Sequence, residues 1–565
     1  MTSHSLRNSG SPVPLEMTVL IPAAGRVPEG LLSLSNISCP AMIPVAGRPV
    51  VHWTLGYLRE LGLKSFRVAV ARRGLFVEEF VESAFGADCR IDFVVPRRDG
   101  GLGFTVLELL EGVESGPVLV VLGDTHFRLD DAAILASDEP FVLTHAVEES
   151  YRWCLAEADG AGHLTRLRDK EAGLAGDLRA LVGVYFFPDV GLARRAAREN
   201  VAEAERSGRR AEMAGLLERV AREAPIRVAG VREWLDCGNP DRQAASHRAL
   251  LQARAFNELS IDPVLGTITK RSRQREKFLQ EIDYLRLLPP EIAVLFPRLL
   301  EFSTAWNEPW MTMEYYGYPA LAEVFLFENL DPGVWQRIFE HLFEIQRTAF
   351  RSRPWPLPAG TVREMYLEKT RRRVDQLDPA SPVGAFLRRD DVLTVNGRPI
   401  GRLEHLWERL AVEIDRLEAN AQGAIVHGDL CLSNILYDVR SRICKLIDPR
   451  GSFGREGIYG DPRYDVAKLY HSVYGLYDFI VNDLFRVRLE GGDLSLTIRT
   501  TPQHREIEQR FSRVYFGEFD RREIVLIAGL LFVSMPALHS ERPDRQLAML
   551  ARGLQLLDEA LGGPA

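Results

Sequence analysis

The sequence predicts an α/β half followed by a two-lobed half, a small strand-rich lobe and then a larger helical one. Three observations carry that reading. Short continuous apolar runs punctuate the N-terminal part: MTVLIP, FRVAVA, IDFVVP, PVLVVLGD, FVLTHAV and LVGVYFF. Runs of this kind suit strands buried on both faces of a helix-covered sheet. Helical patterns alternate with them (VVHWTLGYLRELG, LFVEEFVESAF, TVLELLEGV), and strand–helix alternation marks an α/β domain. This half closes with a helical pattern, DRQAASHRALLQARAF. The texture then changes. FNELSIDPVLGTITKRS reads as a hairpin with Asp262, Pro263 and Gly266 at its turn. The charged helix RQREKFLQEIDYLRLL follows, stopped by Pro289 and Pro290, and WMTMEYYG reads as another strand. Beyond it the pattern is mainly helical, with a strand–loop–strand insert around IVHGDLCLSNILYDVRSRICKLIDPRG.

Composition narrows the function classes. The 565 residues are 46% hydrophobic and 26% charged, ordinary for a soluble globular chain. A net charge of −8 argues against a dedicated nucleic-acid binder. None of the six cysteines forms a C-x-x-C pair, so neither a zinc ribbon nor a disulfide framework is indicated. The greasy stretch Ile524–Leu538 is shorter than the ~20 residues that span a bilayer and reads as a buried core helix. The lead-in MTSHSLRNSGSPVPLE is polar, lacks an apolar signal core, and is expected to be disordered over residues 1–15. The expectation is a cytoplasmic protein without membrane insertion.

The most specific stretch is His427-Gly428-Asp429-Leu430-Cys431-Leu432-Ser433-Asn434, followed by Asp448 in KLIDPRG. Phosphoryl transfer needs a carboxylate beside the attacking hydroxyl and oxygen ligands for the metal ions that neutralise a triphosphate. An Asp, an Asn five residues later and a second Asp after the next strand supply these groups. The stretch resembles the aminoglycoside phosphotransferase and choline kinase family, relatives of protein kinases that act on small molecules, over residues 254–560. The resemblance implies a kinase-like α+β domain that uses ATP and Mg2+ on a small hydroxylated acceptor. It implies Asp429 as catalytic base and Asn434 and Asp448 as metal ligands. Asp465, in GDPRYDVAKLYH, matches the Asp that braces the catalytic loop. Lys270, in TITKRS, is the ATP-anchoring candidate and Glu281 its ion-pair partner, with Arg271 and Glu276 as nearby alternatives.

In the first half, Ala23-Ala24-Gly25-Arg26 follows the first strand, and small residues there let backbone N–H groups approach phosphates. Leu122-Gly123-Asp124 ends a buried strand, and Trp234-Leu235-Asp236 offers a second carboxylate. Two Asp residues at strand ends can hold Mg2+ against a triphosphate. IPAAGR, PVAGRPVVHW, LGDTHF and WLDCGNPD fall in the order found in the sugar-phosphate and phosphocholine nucleotidyltransferases, which this half resembles over residues 16–248. The resemblance implies a Rossmann-like domain with a mixed, mainly parallel sheet, using a second NTP. Asp124 and Asp236 carry over as metal ligands. Ala24, Gly25 and Arg26 carry over as part of the triphosphate loop, and Gly103 and Thr105 lie where the nucleobase is contacted. Lys170 is a candidate for the second substrate's phosphate. Two departures stand out: the second glycine of the loop is missing, and Ala41 occupies a position where the family has Lys.

Together the halves imply a bifunctional kinase and nucleotidyltransferase making an NDP-activated precursor, a CDP-alcohol or NDP-sugar, for bacterial surface polysaccharide such as capsule. The alternative is a small-molecule kinase with an inactive, ligand-sensing nucleotidyltransferase-like domain. The basic run Lys369-Thr370-Arg371-Arg372-Arg373 reads as one solvated helix face, and Tyr459, Tyr464, Tyr470, Tyr474 and Tyr477 read as helical core packing. His539 is a weak candidate for an acceptor contact.

Overall fold

The computed structural model describes residues 17–25, 39–45, 47–71, 75–237, 257–328 and 330–562. The lead-in 1–15, Arg26 and the helical pattern at 241–256 lie outside these residues. The chain divides into two compact units, Met1–His247 and Arg248–Ala565.

The first unit is built on a ten-stranded sheet. Its strands are β1 (Thr18–Pro22), β2 (Ser65–Ala69), β3 (Arg90–Val94), β4 (Val118–Val121), β5 (Thr125–Leu129), β6 (Phe141–Val147), β7 (Cys154–Ala158), β8 (Leu164–Asp169), β9 (Leu178–Phe187) and β10 (Arg227–Asp236). They lie in the order β3-β2-β1-β4-β9-β6-β10-β5, with β7 joined to β9 and β8 to β7. β1, β2, β3 and β4 run parallel; β9 enters antiparallel between β4 and β6. All four residues of β4 are buried, which is why that strand is an unbroken apolar run. The helices are α1 (Val50–Glu60), α2 (Leu75–Phe85), α3 (Leu102–Glu111), α4 (Val190–Ser207) and α5 (Met213–Glu223). α4 starts where the Asp189 carboxylate accepts the Gly191 and Leu192 N–H groups and ends at Gly208, φ 65°. Leu109 and Leu110 of α3, Ala193 and Ala197 of α4, and Leu216 and Leu217 of α5 share one buried core with Val118 and Val120. The chain leaves β1 toward β2 on one side and returns to β4 on the other. That reversal puts a ligand crevice outside the carboxyl ends of β1 and β4.

The second unit opens with an antiparallel sheet, β11 (Asn257–Asp262), β12 (Thr267–Ser272), β13 (Leu299–Ser303) and β14 (Trp310–Glu314), ordered β11-β12-β14-β13. The Asp262 carboxylate accepts the Val264 and Leu265 N–H groups, and Gly266 closes the turn at φ 62°. α6 (Arg275–Leu287) follows β12 and ends before Pro289. The helical lobe contains α7 (Pro332–Thr348), α8 (Lys369–Asp375), α9 (Leu403–Ala419), the hairpin β15 (Ile435–Asp438) and β16 (Ile443–Leu446), α10 (Pro462–Val473), α11 (Pro502–Tyr515), α12 (Arg521–Ser534) and α13 (Pro543–Leu561). Ile524 to Ser534 are all buried, and no described helix is long and apolar enough to cross a membrane. The protein is thus a mixed, parallel-rich α/β unit followed by a two-lobed, kinase-like α+β unit.

Candidate active sites

In the second unit Lys270 projects from β12 toward Glu281 on α6. Both Glu281 carboxylate oxygens lie 2.8 Å from Lys270 Nζ, and Asp448 Oδ1 lies at the same distance. Lys270 and Glu281 are 5% and 8% exposed. Burial opposes the Lys270 charge, but Asp448 and Glu281 outweigh it and hold the ammonium above its ordinary pKa. Arg271, the alternative, faces the exposed Glu308 at 3.9 Å instead.

The loop containing Asp429 is fixed from behind. The Asp465 carboxylate on α10 accepts the backbone N–H groups of His427 (2.7 Å) and Gly428 (2.9 Å). Burial pushes Asp465 up to about 7, against those two hydrogen bonds. His427 is fully buried, stacks on Phe296 with ring centroids 5.8 Å apart, and accepts the Asp429 N–H on Nδ1. Burial lowers its pKa to about 4, which keeps the ring neutral. Gly428 has φ 78°, and a Cβ there would meet Arg450 Cβ at 2.8 Å, so glycine is required by both backbone and space. The Arg450 N–H donates to His427 O and the Ile447 N–H to Asn434 O, each at 3.0 Å, lacing the 427–434 loop to the loop of Asp448. Asp448 sits at φ 56°, an uncommon conformation for a non-glycine residue.

Asp429 and Asn434 are joined through Asn434 Nδ2, which donates to Asp429 O at 2.9 Å. That bond takes up the Asn434 amide nitrogen and leaves its oxygen as the atom that could meet a cation. Asn434 and Asp448 therefore offer hard oxygen donors on facing loops, a donor set that fits Mg2+ completed by nucleotide phosphates and water. Among the described residues no group of three or more His, Cys, Asp or Glu is arranged to hold a metal ion unaided.

Lys468 was not singled out by the sequence reasoning. It lies one helical turn beyond Asp465 on α10, and its Nζ is 2.7 Å from Asp429 Oδ1. Burial raises the Asp429 pKa, but Lys468 more than offsets this and holds the carboxyl below its usual range. The signal available was the D-x-x-K spacing, which puts both side chains on one helix face.

These residues line a cleft of about 680 Å3 that also takes in Lys277, Arg373, Arg450, Tyr464, Tyr477, Ser534 and His539. The reading of 369–373 as one solvated face is corrected here. A π-type turn, Glu364–Glu368, precedes α8 and is closed by the Lys369 N–H to Glu364 O. Arg372 pairs outward with Glu364. Lys369 lies over the Tyr464 ring, and Arg373 Nη1 donates to Ser534 Oγ at 3.2 Å. Arg373 therefore faces the cleft, and Lys369 packs against Tyr464, which lines it. Tyr464 and Tyr470 are 1% exposed and pack in the helical core.

In the first unit the carboxyl end of β1 carries Ala23, Ala24 and Gly25, and that of β4 carries Leu122, Gly123 and Asp124. Asp236 closes β10, paired in register with Thr125, and the Cys237 N–H donates to Asp124 O at 3.1 Å. The two candidate carboxylates thus occupy neighbouring chain ends beside the switch-point crevice. Burial raises the Asp124 pKa. Ala41 is 1% exposed, and a Cβ on Gly123 would meet the Ala41 Cβ at 3.0 Å and the Ala23 Cβ at 3.2 Å. Ala41 therefore lies against the Ala23 loop. Gly103 is buried in the first turn of α3, with its N–H donated to Ala211 O at 2.7 Å. A Cβ there would meet Asn200 Nδ2 at 2.7 Å, so close packing accounts for this glycine. Thr105, two residues further along α3, is partly exposed, and Lys170 is exposed at φ 56°.

No curated protein matches the sequence. Among solved structures, HddC from Yersinia pseudotuberculosis complexed with GMP-PN is similar at 16% identity and TM-score 0.34, covering 41% of this chain and 99% of that one. A putative glucose-1-phosphate thymidylyltransferase from Bacillus anthracis in complex with a sucrose is similar at 16% identity and TM-score 0.37, covering 42% and 97%. A nucleoside-diphosphate-sugar pyrophosphorylase from Vibrio cholerae is similar at 20% identity and TM-score 0.35, covering 41% and 99%. In the second unit, residues 263–507, which hold Lys270, Glu281, the 427–434 loop, Asp448 and Asp465, match the APH phosphotransferase enzyme family.

Proposed function

We propose that the chain is a bifunctional transferase: an ATP-dependent kinase of a small hydroxylated acceptor in residues 254–560, and a nucleotidyltransferase in residues 16–248. The observation that carries the kinase reading is the Lys270–Glu281–Asp448 cluster joined to Asp429 and Asn434 around one cleft. In this reading Lys270 holds the ATP phosphates, kept in place by Glu281, and Asp429 orients the acceptor hydroxyl. The hydroxyl oxygen forms a bond to the γ-phosphorus and its proton passes to Asp429. The bond from that phosphorus to the bridging oxygen breaks, and the electron pair leaves with ADP. Asn434 and Asp448 would hold Mg2+, which supplies charge neutralisation for the triphosphate. Asp465 is a positioning residue.

In the N-terminal unit, backbone N–H groups of Ala24 and Gly25 would face the triphosphate of a second NTP. Asp124 and Asp236 would hold its metal, and Thr105 would lie near the base. A phosphate monoester made by the kinase is the substrate class such a site consumes, and the product, an NDP-linked alcohol or sugar, suits surface-polysaccharide assembly from the cytoplasm. The buried Ala41 supports a second reading, an inactive ligand-sensing N-terminal unit, because no ammonium is supplied from that position.

The test is mass spectrometry of the full chain with Mg2+, ATP, mixed NTPs and a panel of alcohols and sugars. D429N is expected to abolish ATP-dependent phosphorylation and spare pyrophosphate release from supplied X–phosphate. D124N is expected to do the reverse. Loss of both activities in either folded variant would refute two independent sites. Nucleotide binding without pyrophosphate from any NTP would favour the second reading.

A further inference from the structure

Five cations, Lys270, Lys277, Arg373, Arg450 and Lys468, line the cleft of the second unit beside four carboxylates, Glu276, Glu281, Asp429 and Asp448. Lys270 is matched by Glu281 and Asp448, and Lys468 by Asp429. Among the described residues, the three remaining lining cations, and Lys369 outside the lining, bond to uncharged partners. Arg373 Nη1 donates to Ser534 Oγ at 3.2 Å, Arg450 Nη1 to Tyr464 Oη at 3.0 Å, and Lys277 Nζ to Gln274 Oε1 at 3.3 Å. Lys369 Nζ lies 3.3 Å from Met365 Sδ. Burial and neighbouring cations act on them together: Lys369 feels Arg450, Arg373 and Lys468 against Asp429, and Lys277 feels Arg373 and Arg450 against Asp429 and Glu276. Crowding cations around a cavity without counter-charge is unfavourable unless an anion enters it.

The position of these cations separates them from the ATP-anchoring cluster. Lys270 projects from the strand lobe, whereas Lys369 and Arg373 belong to α8 and contact α10 and α12 of the helical lobe. The wall beside them is made of Leu531, Ser534, Met535, Leu538 and His539. Asp429 shares this cleft; the other lining carboxylates, Glu276, Glu281 and Asp448, belong to α6 or to the Lys270 cluster. A cationic acceptor, such as a quaternary ammonium or amino alcohol, would meet the like charge of Arg373 and Arg450.

We propose that the acceptor is an anion: a hydroxylated metabolite that already carries a phosphate or carboxylate group, gripped by Arg373 and Arg450 while its hydroxyl faces Asp429. This inference depends on the phosphotransferase reading and narrows its substrate class. The transferred group and the bonds made and broken are unchanged.

The experiment measures ADP release by the full chain with ATP and Mg2+ against four acceptor classes: neutral sugars and glycerol, choline and ethanolamine, hexose phosphates, and hexuronates. Turnover is expected with one of the last two classes, and which of them responds identifies the anion. Inorganic sulfate should compete with that acceptor and not with ATP. R373Q should raise the acceptor KM at least tenfold and leave the ATP KM within twofold. R450Q should do the same should R373Q fail to fold, and sulfate competition on the unmodified chain needs neither variant. Preferred turnover of neutral or cationic acceptors, insensitive to R373Q and to sulfate, would overturn the inference and leave the kinase intact. So would a rise in the ATP KM equal to that for the acceptor, because the cations would then serve the triphosphate. Failure of the chain to bind ATP with Mg2+ at all would overturn the phosphotransferase reading, and this inference with it.

Discussion

Replacing Lys468 by methionine isolates what the ammonium does for Asp429. The pair is separated by 2.7 Å, with Lys468 11% and Asp429 41% exposed at the side chain. At an effective dielectric of about 20, Coulomb attraction at this distance is about 6 kcal/mol. Because the carboxylate is two-fifths exposed, solvent screening reduces the useful coupling to about 1.5–3 kcal/mol. At 1.36 kcal/mol per pH unit this is about one to two units. Lys468 depresses the Asp429 pKa, so this carboxyl stays ionised to lower pH; removing the cation raises the pKa. The acidic limb of kcat/KM for ADP release should therefore move to higher pH by about one to two units in K468M. The neutral side chain suits the buried position, so the melting temperature should change little. An unchanged acidic limb in a folded K468M protein would refute the assignment of Asp429 as the titrating base.

Further outcomes follow from the same geometry. K270M should lower ATP turnover by about 10^2–10^3-fold, because it removes the ammonium that Glu281 and Asp448 position; single-turnover kinetics with circular dichroism as a folding control test this. D465A strands two buried N–H groups and should cost about 2–4 kcal/mol of stability, read as a lower denaturation midpoint together with a loss of kcat. G123A pushes a methyl to 3.0 Å from Ala41 and should destabilise the first unit by about 1–3 kcal/mol while weakening NTP binding, measured by calorimetry. His504 is buried, bonded to Phe325 O, and lowered to about 4 by burial. Below pH 6.5 the unfolded chain takes up a proton that the folded chain refuses, so stability falls as pH drops from 6.5 toward 4. H504Q should shrink the urea-midpoint difference between pH 7 and pH 5 by an amount equivalent to about 2 kcal/mol.

What was legible in the sequence was local. The strands of the first unit were visible because burial on both faces leaves unbroken apolar runs, as in Val118–Val121. The 427–434 loop was visible because its Asp and Asn act across five residues of one chain segment. Lys270 and Glu281 were separable from Arg271 and Glu276 only through the way β12 and α6 face each other. Lys468 and the inward turn of Lys369 and Arg373 were hidden for a further reason. A run of basic residues gives helical spacing but not the direction in which the helix presents it, and the π-type turn at 364–368 shifts that phase. The close packing that requires glycine at position 103 depends on Ala211 and Asn200, far along the chain.

The two backbone bonds between the 427–434 segment and the segment of Asp448 make those stretches a single mechanical part. Disturbing either one displaces the other, so damage cannot be confined to one substrate. Lesions in this region should raise the requirement for divalent cation and for acceptor together.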